Sequence, residues 1–355
     1  MRNATTRRLA TAALAGAVAT ALFSLPATAD RLAATAAFAA AAQEFDVPRD
    51  LVVAVGHAES RLDMHGGKPS QDNGYGLMHL VSNPSRHTLE QAASVTGAST
   101  NALKNDVTTN IRGGAAARRA LADEHGLGTA DRDRLDAWYP VVAAYGGAFV
   151  PQTKRLYADA VYDLLESGVS AVAPTGERIT VAPRSVTPER GTLATTSTTA
   201  APDYPGAIWN PASTANYAPG RTASISTVVH VTQGSYAGTI SWFQNPDAQV
   251  SAHYVLRSAD GEVTQMVADA DTAWHARSAN PSSLGIEHEG FVDDPAWFTD
   301  AMYRSSAAVT TWLCDTYGLA KTRDVIVGHS EVPGNDHTDP GPNWDWDYYM
   351  SLVTA

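Results

Sequence analysis

Apolar residues in the first half of the chain recur at the spacing of α-helices. One face of a predicted helix carries Leu51, Val52, Val55 and Ala58. Pro48 stands just before this face, where the first turn of a helix tolerates proline. The same spacing predicts helices over 111–125 and 151–165. Alternating β-branched residues are scarce between 30 and 168, so the pattern predicts an all-α domain there.

From residue 204 onward the pattern changes to short strands mixed with helices. Short apolar or β-branched runs predict strands over 226–231, 251–256, 262–267, 285–289 and 324–327. The second and third of these runs flank Asp260-Gly261, which is a hairpin signal. Helical spacing returns over 236–245 and 299–317. This mixture predicts an α/β domain with a mixed central sheet flanked by helices.

A segment rich in Thr, Ala, Pro and Ser separates the two patterns. It covers 169–203, and its centre, Thr195–Thr199, offers little that a core would bury. This composition predicts an interdomain linker, and a long surface loop within one domain is the alternative interpretation. The chain length of 355 residues exceeds what one core usually supports. We therefore expect a helical domain over 30–168 and an α/β domain over 204–355.

The first 29 residues have the pattern of a signal peptide. Arg2, Arg7 and Arg8 precede an uncharged stretch that ends before Pro26, and the small-x-small sequence Ala27-Thr28-Ala29 follows. A membrane anchor is the alternative interpretation, but the uncharged stretch is short for a span and rich in Ala and Thr. The sequence predicts export with cleavage, no stable membrane insertion afterwards, and an extracellular location at the cell wall.

Charge and cysteine content narrow the possible partners and the sources of stability. Lys and Arg number 25 against 37 Asp and Glu, a formal net charge of −12, which argues against nucleic acid or anionic lipid as the main partner. The single cysteine, Cys314, excludes an intramolecular disulfide and a zinc site built on several thiolates. An exported protein of this kind relies on its core or on bound metal for stability.

Two histidines of the second half stand where a metal site is expected. His230 and His329 each end an apolar, β-branched run, where side chains project from the edge of a sheet. Asp339 follows His329 by ten residues. Two neutral imidazoles and one carboxylate are a ligand set that zinc accepts, with the fourth position left open for chemistry. The pattern therefore indicates a catalytic rather than a structural zinc site.

Five motifs over 204–355 connect this predicted zinc site with a known protein family. They are Val-Val-His230-Val-Thr, Ser-Ala-His253-Tyr, Ala-Trp274-His275-Ala, Gly-Ile-Glu287, and Gly-His329 through Thr-Asp339-Pro-Gly-Pro. In this order they resemble the zinc-dependent N-acetylmuramoyl-L-alanine amidase family, which shares its fold with the peptidoglycan recognition proteins. The resemblance implies that His230, His329 and Asp339 bind Zn²⁺. It also implies that Glu287 handles the proton of the attacking water and of the leaving amine.

The resemblance extends to further candidate residues. His337 departs from the family pattern, in which many members carry Lys at this position, and we expect its imidazole to stabilise the oxyanion in place of an ammonium. An alternative is that His337 replaces Asp339 on the metal. Trp274 and His275 occupy positions that line the family's peptide groove, although Trp274 alternatively belongs to the core. Tyr254 is a third candidate for substrate contact.

The helical half resembles a second family. His57-Ala-Glu59-Ser and Gly74-Tyr-Gly-Leu-Met-His79-Leu are similar to motifs of lysozyme-like lytic transglycosylases and goose-type lysozymes, over about residues 40–165. The resemblance implies Glu59 beside a sugar cleft, with a raised pKa and the role of a general acid. This sequence departs from the family's motifs at His79, where Gln is common, and at Gly146-Gly147, where Asn is usual before the final small residues. Glycan cleavage, glycan binding without turnover and a structural role for Glu59 stay open.

These inferences predict an exported, zinc-dependent peptidoglycan hydrolase. It would cleave the amide bond between N-acetylmuramic acid and L-alanine of the stem peptide, while its N-terminal domain binds or cleaves glycan. The alternatives are a bifunctional enzyme that also acts as a transglycosylase or lysozyme, and a peptidoglycan-binding protein without catalysis. Asp339 and Glu287 argue against the last alternative. In each case the expected partner is peptidoglycan, through its glycan strand and its stem peptide.

Overall fold

The computed structural model describes residues 34–194, 201–222 and 226–355. The predicted signal peptide, 1–29, and the run Thr195–Thr199 lie outside these ranges. No helix within them is both long and apolar enough to cross a membrane.

Helices dominate the N-terminal part, in agreement with the apolar spacing. They are α1 (Ala34–Phe45), α2 (Arg49–Ser60), α3 (Thr88–Thr96), α4 (Thr100–Asn105), α5 (Val107–Glu124), α6 (Tyr139–Tyr145) and α7 (Pro151–Ser167). Phe38, Leu51, Ile111 and Val161 meet in one core and are fully buried. Burial of a side chain of this size stabilises a fold by about 1.5–3 kcal/mol.

The helical part also contains two short hairpins, which the expectation of an all-α domain does not include. The first pairs β1 (Gly74–Tyr75) with β2 (Leu80–Val81). The second pairs β3 (Val169–Val172) with β4 (Arg178–Val181), inside the segment predicted as a linker. Its apolar residues alternate along each strand and pack into the helical core. Overall composition hides this alternation, so residues 169–181 are more ordered than their composition suggests.

The C-terminal part is built on a mixed sheet, as predicted, and this sheet has six strands. The strands of this sheet are β5 (Ile208–Trp209), β7 (Ser226–Val231), β8 (Tyr254–Leu256), β9 (Val263–Gln265), β11 (Ser283–His288) and β12 (Ile326–Gly328). Two further short strands, β6 (Tyr217–Ala218) and β10 (Thr272–Ala273), pair with each other. The strand order in the six-stranded sheet is β12-β7-β11-β8-β9-β5, and the antiparallel pair β8 and β9 is the predicted hairpin. The helices of this part are α8 (Tyr236–Gln244), α9 (Asp300–Tyr317) and α10 (Trp346–Val353).

Three adjacent strands of this sheet run parallel and end at the same edge. Strand β7 lies between β12 and β11, and the register places Glu287 directly opposite His230. Gly328 pairs with Val229, so His329 follows β12 at the level of His230. Ligand sites in sheets of this kind form beyond the carboxyl ends of parallel strands. The topology thus brings three predicted site residues to one edge.

The helical and α/β parts are in direct contact within one compact unit, Leu32–Ala355. The guanidinium of Arg61 lies 3.8 Å from the ring centroid of Trp297 and donates a 2.9 Å hydrogen bond to Ser258 Oγ. His65 stacks on Phe291 with ring centroids 3.5 Å apart. Aromatic stacking and a cation over an indole ring add specific attraction to the area that these surfaces bury.

Candidate active site

His230, His329 and Asp339 converge beyond the carboxyl edge of the sheet. One potential ligand atom from each lies within 4.8 Å of the others, and all three residues are buried. Asp339 Oδ2 is 3.3 Å from Nδ1 of His230, and Asp339 Oδ1 is 3.2 Å from Nδ1 of His329. Two imidazole nitrogens and one carboxylate oxygen, pointing at one small volume, fit the ligand set of a catalytic zinc ion.

The protonation states of these groups suit a metal site. Burial has the largest effect on His230 and lowers its pKa, so its ring is neutral at pH 7. For Asp339, burial alone would raise the pKa, but the close contacts with the imidazoles of His230 and His329 outweigh burial and hold the pKa well below its usual range. Neutral imidazole and ionised carboxylate are the forms that bind metal ions.

The second nitrogen of His230 is fixed by a chain of polar contacts. Its Nε2 lies 2.9 Å from Nδ1 of His275, and Nε2 of His275 lies 3.3 Å from the hydroxyl of Ser283. That hydroxyl donates to the carbonyl oxygen of Ala279 at 2.7 Å. With a proton on Nε2 of each ring, every link has one donor and one acceptor, and Nδ1 of His230 stays free to bind a metal.

Glu287 is a buried carboxyl beside the three candidate ligands. Its Oε2 is shielded from water and has no hydrogen-bond partner among the described residues. Burial, followed by the negative charge of Asp339, raises its pKa well above the ordinary value. A carboxylate in such a place readily accepts a proton, as a general base requires.

His337 lies at the rim of the site. Its side chain is 54% exposed, and its ring stacks on that of His329 with centroids 4.3 Å apart. Its Nδ1 is 3.8 Å from Asp339 Oδ1. The group that meets the geometry of a metal site contains Asp339 and not His337. This placement supports the assignment of Asp339, rather than His337, as the third ligand.

The predicted substrate-contacting residues occupy different environments. Trp274 is partly exposed and lines the cleft together with Glu287 and the candidate ligands. His275 borders the same cleft but is largely buried behind His230. Tyr254 is fully buried, and its hydroxyl donates to Asp269 at 2.8 Å, away from the cleft lining. The strand that carries Tyr254 turns this ring into the core, which differs from the expectation of substrate contact.

Glu59, the predicted acid of the helical half, lies in a buried ionic network. Its carboxylate accepts a 2.7 Å hydrogen bond from the hydroxyl of Tyr157, and its Oε2 lies 3.1 Å from Nδ1 of His79. The other ring nitrogen of His79 lies 2.9 Å from Asp72. Arg86 approaches both carboxylates at 3.9 Å. We call Glu59, His79, Asp72 and Arg86 the buried ionic network.

The charges in the buried ionic network differ from those expected of a glycosidase acid. Burial alone would raise the pKa of Glu59, but the charges of His79 and Arg86 outweigh it, and the pKa is lowered. For His79, burial lowers the pKa, while Asp72 and Glu59 more than compensate and raise it to about 10. Glu59 is therefore held ionised, and it is only 1% exposed. A general acid needs the opposite, a retained proton and access to the glycosidic oxygen.

The network predicts a specific pH dependence of stability. His79 binds its proton more tightly in the folded chain, so its stabilising contribution is complete below about pH 6.5 and is lost as the pH rises towards about 10. We expect the free energy of unfolding to fall by up to about 1.4 kcal/mol per pH unit across this window. Denaturant unfolding between pH 6 and pH 10 measures the slope.

Two variants assign that slope to the network. His79→Gln is expected to flatten it, while Asp72→Asn, which keeps the imidazole and removes one of its anionic partners, is expected to move the loss of stability to lower pH. If both variants kept the slope of the unmodified chain, His79 would not be the group responsible.

One part of the cleft carries no recognisable sequence motif. The cleft has a volume of about 790 Å³, and one of its walls is Pro69, Ser70 and Gln71 from the helical part. Gln233, three residues after His230, lines it from the α/β part. The backbone N–H of Gln71 donates to the carbonyl of Gln233 at 3.0 Å and joins the two parts. No motif marks this loop, because it becomes part of the cleft only through tertiary packing.

Comparisons with known proteins point to the same part of the chain. A family model described as N-acetylmuramoyl-L-alanine amidase matches residues 222–342, the segment that contains the candidate ligands and Glu287. N-acetylmuramoyl-L-alanine amidase A of Achromobacter lyticus is 40% identical over an alignment of 170 positions that covers 43% of this chain and 96% of that relative. The helical domain predicted over 30–168 lies outside the matched family segment.

Other relatives match over less of their length. The 1,6-anhydro-N-acetylmuramyl-L-alanine amidase AmpD of Escherichia coli (strain K12) is 40% identical over an alignment of 115 positions that covers 30% of this chain and 60% of that protein. Among solved structures, a selenomethionine derivative of AmpD is 29% identical, with a TM-score of 0.36 over 42% of this chain and 94% of that chain.

Proposed function

Because this chain belongs to the N-acetylmuramoyl-L-alanine amidase family, we propose that it hydrolyses the amide bond between N-acetylmuramic acid and L-alanine in peptidoglycan. The observation that carries the proposal is the convergence of His230, His329 and Asp339 in one cleft with Glu287. A binding protein without catalysis has no need of a buried, unpartnered carboxyl beside a set of metal ligands. These groups therefore favour an enzyme over a binding module.

Zinc is the metal that we propose for this site. His230 and His329 would bind it through Nδ1, and Asp339 through a carboxylate oxygen. Three protein ligands leave a fourth position open, and zinc there supplies Lewis-acid activation of water and carbonyl groups. The contact with His275 keeps the imidazole of His230 in the tautomer that has its proton on Nε2 and leaves Nδ1 free.

Two side chains carry the remaining chemistry. Glu287 takes a proton from the water that attacks the lactyl carbonyl and delivers it to the amine of the departing L-alanine. Its burial and raised pKa strengthen the carboxylate as a proton acceptor. His337, exposed at the rim, donates a hydrogen bond from its imidazole to the oxyanion that forms at the same carbonyl.

The helical part serves the amidase in this proposal and has no glycosidase chemistry of its own. The burial of Glu59 and its pairing with His79 support a structural role for this carboxylate. A bifunctional enzyme is the competing hypothesis, since the sequence motifs around Glu59 resemble those of lytic transglycosylases. The two hypotheses predict different products from the same substrate.

One experiment separates these functions. The purified full chain is incubated with cell-wall sacculi, and new N-terminal L-alanine and new reducing or anhydro sugar ends are measured together with bound zinc. We expect new N-terminal alanine, bound zinc and no new sugar ends. New sugar ends would support the bifunctional enzyme, and the release of neither product would contradict the amidase.

Export through the segment 1–29 is also part of the proposal. The basic start, the uncharged stretch and Ala27-Thr28-Ala29 support a cleaved signal peptide. Peptidoglycan, the proposed substrate, lies outside the cytoplasmic membrane, so an exported hydrolase would meet intact cell wall. Protein isolated from the culture medium is expected to begin at Asp30, which N-terminal sequencing tests directly.

His275 is predicted to position His230 for metal binding. His275→Ala removes the acceptor for Nε2 of His230, and we expect the zinc affinity to fall by about 10–100-fold. Competition with a chelator of known affinity measures this change. His125→Ala, which alters an exposed histidine of the helical part, is the matched control. Equal zinc affinity in the His275 variant and the control would contradict the positioning role.

A further inference from the structure

One wall of the amidase cleft belongs to the helical part of the chain. Pro69, Ser70 and Gln71, which we call the helical wall, line the same cleft as Trp274 and Glu287. The wall is attached to the α/β part by the hydrogen bond from Gln71 N to the carbonyl of Gln233. A substrate that fills the cleft therefore meets both parts of the protein at once.

The buried ionic network holds the helical wall from behind. The hydroxyl of Ser70 lies 2.8 Å from Nε2 of His79 and 2.7 Å from Asp72 Oδ1. The same oxygen accepts a 2.8 Å hydrogen bond from the backbone of Gly74, whose carbonyl accepts from Ser70 N at 2.9 Å. These contacts fix the backbone next to Gln71. A residue held this firmly at a cleft is pre-organised to bind a ligand.

Several residues of the cleft lining are polar and uncharged, although the same lining contains Arg277 and Asp336. Gln71, Gln233 and Gln249, which carry side-chain amides, and Trp274, which carries an aromatic ring, line the cleft. Oε1 of Gln71 is shielded from solvent and has no hydrogen-bond partner among the described residues, so pairing with a ligand donor requires the side chain to rotate and expose this oxygen. Neutral amides with an aromatic face suit the hydroxyl and acetamido groups and the apolar faces of N-acetylated sugars.

A groove that adjoins the cleft disfavours the stem peptide, which is the other portion of the substrate. Beyond Pro69 it is lined by Asp63, Asp293 and Asp294, and Lys68 pairs with Asp293 at 3.1 Å. Carboxylates outnumber the cation there and repel a further anion. A stem peptide carries free carboxylates, whereas a glycan of N-acetylglucosamine units is neutral. The charge pattern on this side of the cleft thus favours glycan over peptide.

We propose that the helical wall binds the glycan strand beside the muramic acid whose amide is cleaved, with Gln71 as the residue that contacts sugar. The inference rests on the proposed function and adds a substrate preference to it. The helical part then selects glycan chains over isolated muramyl peptides. The buried ionic network acts as a positioning device, because it holds Ser70 and so places Gln71.

Binding and kinetics on the full chain test this inference separately from the amidase chemistry. Binding of tetra-N-acetylchitotetraose, a glycan without peptide, is measured by titration calorimetry. The KM for alanine release is compared between a peptidoglycan oligomer and a muramyl peptide with one sugar. For Gln71→Ala we expect weaker tetrasaccharide binding and a KM for the oligomer about fivefold higher, the effect of one lost hydrogen bond, with KM for the muramyl peptide and zinc content unchanged.

Two further variants complete the design. Ser70→Ala loosens the wall and is expected to raise the KM for the oligomer in the same direction, with kcat unchanged. Gln91→Ala, on α3 away from the cleft, is the matched control and is expected to bind tetrasaccharide like the unmodified chain.

Each outcome bears on one hypothesis. The inference would be overturned if Gln71→Ala bound the tetrasaccharide as tightly as the control does. It would also be overturned if the KM rose equally for both substrates, because that result would place the stem peptide at the wall. Glycan binding that depends on Gln71, in a chain that releases no alanine, would support the wall while contradicting the proposed amidase.

Discussion

Asp339→Ala is expected to abolish alanine release, with a loss of at least about 10³-fold, well beyond the 10–100-fold effect of residues outside the ligand set. Asp339 approaches both His230 and His329 within 3.3 Å and is the only anion among the three candidate ligands. Its removal leaves two imidazoles and no anionic ligand, a set that holds zinc poorly. The measurements are alanine release from sacculi and the zinc content after dialysis.

Two further variants serve as controls for Asp339→Ala, one for the fold and one for the chemistry of the carboxylate. Asp347→Ala, an exposed aspartate of α10, should keep both activity and zinc. Asp339→Glu keeps the charge but extends the side chain by one methylene, and should retain more zinc than the alanine variant. Full zinc content in Asp339→Ala would exclude this residue from the ligand set and would turn attention to His337.

Glu287→Gln is expected to lower kcat by about 10²–10⁴-fold, the usual contribution of a general acid–base group, while zinc stays bound. Glutamine keeps the shape of the side chain but does not accept a proton. Burial of an uncharged amide is also less costly than burial of a carboxylate, so stability should be maintained or increased. Steady-state kinetics, zinc analysis and thermal unfolding on one preparation distinguish these effects.

A matched substitution shows whether the loss is specific to this position. Glu124→Gln makes the same chemical change at the exposed end of α5 and should leave kcat unaltered. Loss of zinc together with activity in Glu287→Gln would indicate that this carboxyl binds the metal instead of moving the proton. That result would require a new assignment for the base.

Much of the candidate site was accessible from the sequence because it depends on local pattern. The strand over 226–231 has the predicted bounds, and the parallel register then aligns Glu287 with His230. Strand alternation also places His288 on the opposite face, where it contacts Ser306 of α9 at 2.6 Å. A period of two residues is a strong constraint, since one residue of slip moves every side chain to the other face.

Other parts of the molecule follow from packing that no single segment encodes. Glu59 belongs to a motif that implies a raised pKa, yet His79 and Arg86, from later segments of the chain, reverse the direction of the shift. Tyr254 follows a motif histidine, yet its strand directs the ring into the core. The pKa of a buried group depends on the charges around it, and these come from elsewhere in the chain.

The amino-acid sequence alone determined the α/β character of the C-terminal part, its hairpin and most of its strands, and its resemblance to the amidases indicated the candidate ligands. These features depend on periodicity and on residue type, which are local properties of the chain. Tertiary structure alone decided that the helical part contributes Ser70 and Gln71 to the cleft, and that Glu59 is held as an ion in the interior. Both depend on contacts between segments far apart in sequence, where burial and neighbouring charge, rather than residue type, set the chemical role of a side chain.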